Sequence, residues 1–318
     1  MTKSLCISIV VSTYNRRDLV ARTLKTIFDQ EYPASKFEVI VVVDGATDGT
    51  ADALMGLTPT CSFRVIEQEN RGLAGARNTG YRAAESDLVL FLDDDMLCDP
   101  GLVAAHVRTH KGGERIAAFG ALFLSPDSPH SLAAECFNRE IGAFHLAHKK
   151  SSAVRWNETD CVFSNSSICR ELLEEFHGFD ERFRMREDQE LGLRLFRGGV
   201  VPAYVSDAKA FQHYEKTSSD LIRDAEEFAK ADLLLAAEHP EALVPGQVNV
   251  LRRKSAWKRR VTRIAVKAPV LWDIALSPLC GIGSVFNQIA VLRGMGVRAL
   301  QIRRRVHWLH KVIQAGGL

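Results

Sequence analysis

The feature that most restricts the fold of this 318-residue chain is an apolar run that ends in three aspartates. Residues 88–92 are consecutive Leu, Val and Phe side chains, a pattern typical of a strand buried on both faces of a parallel sheet. Asp93, Asp94 and Asp95 follow directly. Because ligands of open α/β sheets bind outside the carboxyl ends of the strands, these carboxylates mark a candidate binding site. A solvated acidic turn before a helix is the alternative interpretation.

Three further apolar runs precede this one and alternate with helical patterns. The predicted strands are residues 5–11, 37–43 and 62–68. The predicted helices are residues 19–28, residues 51–57 and a segment opened by residues 70–80. Regular alternation of strand and helix predicts a parallel α/β sheet with right-handed crossovers.

Polar side chains follow three of these strands at the same predicted edge of the sheet. Tyr14 and Asn15 follow the first strand, Asp44 ends the second, and the three aspartates end the fourth. This combination suits a nucleotide with a metal-bound diphosphate, because an aromatic ring can support the base and a divalent cation relieves repulsion between adjacent carboxylates. Arg71 and Arg77 can add positive charge there, although solvated arginines on a helix are equally expected. The nearby glycines do not form the Gly-x-Gly-x-x-Gly pattern of a dinucleotide fold.

Four motifs of this region together resemble the family 2 glycosyltransferases of GT-A fold. They are Ser-Thr-Tyr-Asn at residues 12–15, Val-Asp-Gly-Ala-Thr-Asp-Gly-Thr at 43–50, Gly-Leu-Ala-Gly-Ala-Arg-Asn at 72–78 and Leu-Asp-Asp-Asp at 92–95. The resemblance covers roughly residues 5–215. It departs from the family pattern at Val43 and Met96, where the family usually has carboxylates. It implies a Rossmann-like, mixed but mainly parallel sheet flanked by helices.

The second half of the chain carries another signature of that family. From residue 119 we expect loops and short helices, including residues 145–150, that form an acceptor-binding half. Residues 161–170 resemble the strand and turn that precede the family's second signature, here Glu187-Asp188. In the family this pair opens a helix beneath the acceptor, and its Asp, which corresponds to Asp188, is the general base. The alternative is that both acids only stabilise the helix dipole.

The resemblance implies a role for each candidate residue. Nucleotide-sugar binding is assigned to Ser12, Tyr14, Asn15, Asp44, Arg71, Arg77, Asp94 and Asn165, with Asp94 near the ribose and Asp44 near the base. Binding of Mn²⁺ or Mg²⁺ is assigned to Asp93, Asp95 and His213. Catalysis is assigned to Asp188 with Glu187. Because a lone histidine is more often structural than a ligand, a structural role is the alternative for His213.

The C-terminal part differs in composition. A helix is predicted at residues 218–239, and prolines at 240 and 245 mark a boundary. From Arg252 onward the chain has fourteen Lys and Arg residues and one acidic residue, Asp273. The uncharged run at 274–292 has the length of a membrane span but contains proline, glycines and amides. We therefore predict a helical hairpin on an anionic membrane surface. Nucleic-acid binding, for which no motif is present, and packing on the catalytic domain are the alternatives.

Together these patterns predict three parts and one activity. Residues 1–118 form the nucleotide-sugar-binding half of a GT-A domain, 119–245 its acceptor-binding and catalytic half, and 246–318 a basic amphipathic helical tail. The predicted function is metal-dependent, inverting transfer of a sugar from a nucleotide-diphosphate sugar to an acceptor hydroxyl. The predicted acceptor is a glycan or a lipid-linked molecule of cell-envelope polysaccharide synthesis.

Two other classes of function stay open. A nucleotidyltransferase typically has a Gly-rich, Lys-containing loop after the first strand, which this chain lacks. The other class is a non-catalytic, membrane-associated relative. Seven dispersed cysteines without a Cys-x-x-Cys pair favour reduced thiols in a cytosolic setting, and no secretory signal is visible. Together with the basic tail, this predicts a protein that is peripheral on the cytoplasmic face of the membrane.

Overall fold

The computed structural model describes residues 7–113, 115–150, 156, 160–241, 266–285 and 289–316. These residues form two compact units. Unit 1 comprises Met1–Pro126 and Ala143–His213, and unit 2 comprises Asp127–Gly142 and Tyr214–Leu318. The functional boundaries near residues 118 and 245 stay a prediction.

Unit 1 is built on one eight-stranded sheet. Its strands are β1 Ile7–Thr13, β2 Phe37–Asp44, β3 Ser62–Gln68, β4 Leu88–Asp93, β5 Met96–Cys98, β6 Ile116–Leu124, β7 Asn165–Cys169 and β8 Val201–Gln212. The strand order is β3-β2-β1-β4-β7-β6-β8-β5. The first four strands are parallel, β7 runs antiparallel between β4 and β6, and β5 runs antiparallel to β8. The predicted mixed, mainly parallel sheet is confirmed.

Helices flank this sheet. They are α1 Arg17–Phe28, α2 Thr50–Met55, α3 Gly72–Ala83, α4 Leu102–Thr109, α6 Arg170–Glu175, α7 Glu187–Arg197 and the part of α5 Leu132–Lys150 that follows Gly142, the earlier part belonging to unit 2. The expectation of loops and short helices after residue 119 was wrong, because β6 extends to Leu124 and α5 is a 19-residue helix that includes residues 145–150. The break between them, where Pro126 and Pro129 lie, and the six-residue helix α6 match the expectation.

The core lies on both faces of the sheet. Along β4, Leu88, Leu90 and Leu92 pack into one apolar cluster, whereas Val89 and Phe91 pack into the other. This alternation follows from the two-residue period of a strand. All five side chains are at most 2% exposed, as predicted for a strand covered on both faces. Because side chains pack on both faces of β4, the strand has little freedom to move. The backbone position from which the aspartates follow is therefore fixed.

A glycine brings α3 close to the sheet. A Cβ atom on Gly80 would overlap the side chain of Val10 in β1, so only glycine allows this packing distance. Arg77 lies about one turn earlier on the same helix. The close approach therefore places a buried guanidinium near the carboxyl ends of the strands.

Unit 2 contains three long helices, α8 Ser218–Glu238, α9 Pro269–Val285 and α10 Ala290–Gln314. The helix predicted at 218–239 is confirmed, and it begins with a capping box between Thr217 and Asp220. Trp308 of α10 donates from Nε1 to Asp232 Oδ2 of α8 at 2.7 Å. A Cβ atom on Gly283 would lie 2.7 Å from Gly296 Cα, so these two glycines let α9 and α10 pack closely.

The apolar segments of the C-terminal part do not form a membrane span in the described helices. None of the helices in the described ranges is long and apolar enough to cross a bilayer. The basic clusters at 252–254 and 258–260, together with Trp257, lie outside the described residues.

Candidate active site

Parallel pairing brings the predicted polar residues to one edge of the sheet. Ser12 pairs in register with Asp93, and Thr13 pairs with Val43 beside Asp44. Because β1, β2 and β4 run in the same direction, their carboxyl ends meet at this edge. The structure therefore brings together the three strand ends that the sequence pointed to.

Asp94 and Asp95 are buried at this edge and share one arginine. Thr13 donates from Oγ1 to Asp94 Oδ2 at 2.7 Å. Arg16 donates from Nη1 to Asp94 Oδ1 at 2.9 Å and to Asp95 Oδ2 at 3.3 Å. Burial raises the pKa of Asp94 above its usual range. Burial, and then the charges of Asp93 and Asp94, raise the pKa of Asp95 to about 7.

One oxygen of Asp95 fits a cation. Oδ2 also accepts a hydrogen bond from Gln212 Nε2 at 3.2 Å, and the backbone N–H of His213 donates to the Asp95 carbonyl at 2.8 Å. Oδ1 is buried and has no hydrogen-bond partner among the described residues. A buried oxygen of a crowded carboxylate suits a hard divalent cation.

The residues present fit a cation that is held only in part by protein. Within the described ranges, no group of three or more His, Cys, Asp or Glu side chains converges as a metal site. Mg²⁺ is commonly bound by one or two carboxylates, with substrate phosphates and water as its other ligands. Asp95 and its neighbours fit such a partial site, in which phosphate oxygens and water would supply the other ligands.

Asp44 holds the turn that leads into α3. Its Oδ1 accepts from Gln68 Nε2 at 2.6 Å and from the Arg71 backbone N–H at 2.8 Å. Its Oδ2 accepts from the Gly72 backbone N–H at 2.8 Å, and Gly72 has φ +79°. These bonds use three of about four acceptor positions that a carboxylate offers. Contact with a base stays a prediction, and one acceptor position is left for it.

Arg77 is a buried link between three carboxylates. Its Nη2 donates to Asp93 Oδ1 at 2.9 Å, and its Nη1 donates to Asp188 Oδ1 at 2.6 Å. Nη1 also lies 3.3 Å from Glu187 Oε1. Burial alone would lower the pKa of Arg77, but the three carboxylates raise it above its usual value. The Arg77 guanidinium, which was predicted to contact the nucleotide, is thus hydrogen-bonded to the carboxylates of β4 and α7.

Glu187 and Asp188 open α7, and both are buried. Arg186, which precedes them, has φ +70°. Asp188 Oδ2 accepts from the Phe163 backbone N–H at 2.9 Å, so both of its oxygens are held. Burial, and then the charge of Asp188, raise the pKa of Glu187 to about 8. Burial also raises the pKa of Asp188, while Arg77 and the Phe163 N–H oppose this rise. The two hydrogen bonds that Asp188 accepts from Arg77 and the Phe163 N–H therefore favour the charged form of Asp188 over that of Glu187.

The remaining candidates differ in their surroundings. Tyr14 is half-exposed, and Asn15, at φ +51°, accepts from the Thr47 backbone N–H at 2.7 Å. The Ser12 hydroxyl is buried without a hydrogen-bond partner in the described part of the chain. The Arg71 guanidinium is bonded to Glu181 at 2.7 Å. Asn165 turns its amide to His106 and to the Ala208 carbonyl. Nucleotide contacts of all five stay predictions.

Sequence reasoning missed several groups that complete this site. Arg16, Thr13 and Gln212 contact the aspartates, and Asn78 bonds to the Phe179 backbone at 2.8 and 2.9 Å. For Arg16 a signal was present, because a basic residue directly follows the Tyr14-Asn15 turn at the acidic edge. For Gln212 no signal was present, because only the pairing of β5 with β8 brings it to Asp95.

Comparison with known sequences gives one family. The sequence profile described as Glycosyl transferase family 2 matches residues 8–176. Validoxylamine A glucosyltransferase of Streptomyces hygroscopicus subsp. jinggangensis is 38% identical over 108 residues, which are 33% of this chain and 26% of that protein. Chondroitin synthase of Escherichia coli is 27% identical over 241 residues, which are 64% of this chain and 34% of that protein. The chain therefore spans about a quarter to a third of the length of these curated relatives.

Comparison of structures gives the same fold. The mannosyltransferase from Pyrobaculum calidifontis, in complex with GDP-Man and Mn²⁺, matches with a TM-score of 0.63 at 21% identity. The match covers 95% of this chain and 88% of that one. At this identity the likeness concerns the fold, and it confirms the predicted GT-A architecture.

Proposed function

The chain belongs to glycosyl transferase family 2, and from that premise we propose that it moves a sugar from a nucleotide-diphosphate sugar to an acceptor hydroxyl with inversion. One observation carries the proposal: Arg77 bonds both to Asp93, at the donor edge, and to Asp188, the candidate base. A single buried side chain thus holds the two groups that a displacement needs in a fixed relation. Fixed geometry of this kind is a main source of rate enhancement.

The donor half of the site binds the nucleotide diphosphate. Asp95, with Asp93 and His213 beside it, would hold Mn²⁺ or Mg²⁺, and Mn²⁺ is the ion of the Pyrobaculum mannosyltransferase complex. When bound, such an ion offsets the charge that develops on the leaving diphosphate. In this proposal Asp94 lies near the ribose and Asp44 near the base. The other nucleotide-sugar candidates are Ser12, Tyr14, Asn15, Arg71, Arg77 and Asn165.

The acceptor half supplies the base. Asp188 takes the proton of the acceptor hydroxyl as that oxygen attacks the anomeric carbon from the face opposite the diphosphate. One displacement of this kind inverts the anomeric configuration. Because burial and the charge of Asp188 raise the pKa of Glu187 to about 8, we expect Glu187 to add little negative charge beside the attacking oxygen. We further propose a glycan or lipid-linked acceptor of cell-envelope polysaccharide synthesis, which the likeness to a chondroitin synthase supports.

Asp95→Asn tests the metal half of the proposal. We expect loss of Mn²⁺-dependent binding of UDP or GDP, because an amide oxygen is a weaker ligand than a carboxylate. The melting temperature should change little, since Oδ1 has no hydrogen-bond partner to lose within the described chain. Calorimetric titration with Mn²⁺ and with a chelator measures the first effect. Asp87→Asn, an exposed change before the other end of β4, is the matched control. Unaltered nucleotide affinity in Asp95→Asn would remove the assignment.

We also propose that unit 2 rests on an anionic membrane surface at the cytoplasmic face. The outer side of α9 is apolar, with Val270, Ile274 and Val285 at 62%, 67% and 78% exposed. Its one acidic residue, Asp273, is bonded to Arg303 at 2.8 Å and to His307 at 3.0 Å. The outer side therefore offers apolar contact without exposed negative charge, and the basic residues after Arg252 add attraction to anionic lipid.

Ile274→Glu should weaken binding of the full chain to anionic liposomes by roughly tenfold or more, because one exposed Ile contributes about 1.5–3 kcal/mol when it is buried. High salt should weaken binding of the unaltered chain as well. Met55→Glu makes the same change of charge at a similarly exposed apolar position of unit 1 and should bind as the unaltered chain does. Liposome sedimentation measures all three effects. Equal binding by both variants would contradict membrane contact through α9.

A further inference from the structure

We propose that Arg16 is a resident counter-ion of the carboxylate edge, which offsets part of the negative charge of Asp94 and Asp95 before the donor binds and then transfers to the donor's diphosphate. This inference rests on the proposed function, because it concerns the same edge of the sheet. It adds a positioning residue that none of the four motifs contains. It also explains how the protein itself reduces the repulsion between Asp94 and Asp95.

The contacts of Arg16 carry the first step. A single nitrogen, Nη1, lies 2.9 Å from Asp94 Oδ1 and 3.3 Å from Asp95 Oδ2. One guanidinium group therefore lies between two carboxylates that would otherwise repel each other. Of the four Asp94 and Asp95 carboxylate oxygens, only Asp95 Oδ1 is a buried atom without a partner in the described residues. That oxygen is the position from which a divalent cation can compete with Arg16.

Exposure separates Arg16 from the other arginine of the site. The Arg77 side chain is 4% exposed and bonded to three carboxylates, whereas the Arg16 side chain is 42% exposed. A buried guanidinium with three carboxylate partners cannot leave its place without leaving charges unpaired. The Arg16 side chain can move away from Asp94 and Asp95, because water solvates it over much of its surface. Its backbone is the N-cap of α1 and follows Asn15 at φ +51°, so its long side chain starts from a fixed point.

Charge explains why Arg16 would change partners. A divalent cation at Asp95 places two positive charges beside the guanidinium, which weakens the bond from Arg16 to Asp95. The same event brings a diphosphate to this edge. A guanidinium matches phosphate oxygens with two parallel hydrogen bonds, a geometry that a single ammonium group cannot offer. Arg16 is thus suited to exchange a carboxylate for a phosphate.

The exchange predicts effects of opposite sign in Arg16→Gln. The variant should bind Mn²⁺ alone about tenfold more tightly, because the competing charge is gone. This affinity is measured from the electron paramagnetic resonance signal of the free ion. For UDP or GDP with saturating Mn²⁺, the same variant should bind about tenfold more weakly, because a charged hydrogen-bond donor to phosphate is lost. Arg16→Lys should retain weak binding of Mn²⁺ alone and recover only part of the nucleotide affinity.

The control is the neighbouring residue. Arg17 is exposed and bonded to the exposed Asp18, so Arg17→Gln makes the same change of net charge outside the edge and should change neither affinity. If Arg16 only holds the aspartates in place, Arg16→Gln will weaken both Mn²⁺ and nucleotide binding. That result, or equal Mn²⁺ affinity with and without Arg16, would overturn the proposal. Failure of the unaltered chain to bind UDP or GDP would count against the proposed function, while the titration with Mn²⁺ alone would still decide the role of Arg16.

Discussion

Replacing Asp188 by Asn should leave binding of the nucleotide sugar near normal and slow transfer by about 10²–10⁴-fold, the usual cost of removing a general base. The base acts only when the acceptor hydroxyl loses its proton, so donor affinity does not depend on it. Asn also loses one of two bonds, because it offers a single acceptor to Arg77 and the Phe163 N–H. Steady-state rates and donor affinity in the same preparation separate these effects.

Glu187→Gln separates the roles of the two acids of the pair in the same experiment. Because burial and the charge of Asp188 raise the pKa of Glu187 to about 8, Gln reproduces the shape and charge of the protonated form of Glu187. We expect a transfer rate within a few-fold of the unaltered chain. If Asp188→Asn transfers at the original rate instead, Asp188 only begins the helix, and Glu187 becomes the next candidate for the base.

Arg77→Met should have the largest effect on stability. It leaves Asp93, Glu187 and Asp188 close together without their shared counter-charge, and removal of one partner from a buried ion pair costs about 3–5 kcal/mol. In the variant, the folded-state pKa values of Glu187 and Asp188, which burial already raises, lie further above their unfolded values because the opposing charge of Arg77 is gone. The destabilisation is therefore absent below the unfolded values and grows as the pH rises. Urea unfolding at about pH 8 and about pH 5.5 should show a smaller loss at the lower pH.

Arg71→Met provides the comparison. Arg71 pairs with Glu181 at 2.7 Å, but its side chain is exposed, and exposed pairs contribute at most about 1 kcal/mol. If Arg77→Met destabilises the chain no more than Arg71→Met does, the buried carboxylates do not depend on Arg77.

Much of the donor edge could be predicted from the sequence because its signals are local. The five apolar residues of β4 and the aspartates after them are adjacent in the chain, and parallel strands bring Tyr14 and Asp44 to the same edge. The same local rule applies to Leu191 and Leu195 of α7, which are four residues apart and fully buried.

The acceptor half was harder to predict because pairing of distant segments builds it. Nothing near residues 165–169 indicates that this strand runs antiparallel between β4 and β6. Asn165 was assigned to the nucleotide from its place in a motif, yet its amide atoms bond to His106 and Ala208. From the sequence, Arg77 could not be distinguished from other arginines on helices, because its carboxylate partners in α7 lie 110 and 111 positions further along the chain.

That separation has a consequence for the order in which the protein is made. While the ribosome has delivered only the first half, β4 has no neighbour on the side that β7 later occupies, and Arg77 has Asp93 but neither acid of α7. An open strand edge and an underpaired cation both favour premature association or local unfolding. The nascent N-terminal half therefore depends on segments translated much later, and delays in elongation between residues 93 and 188 would expose it for longest.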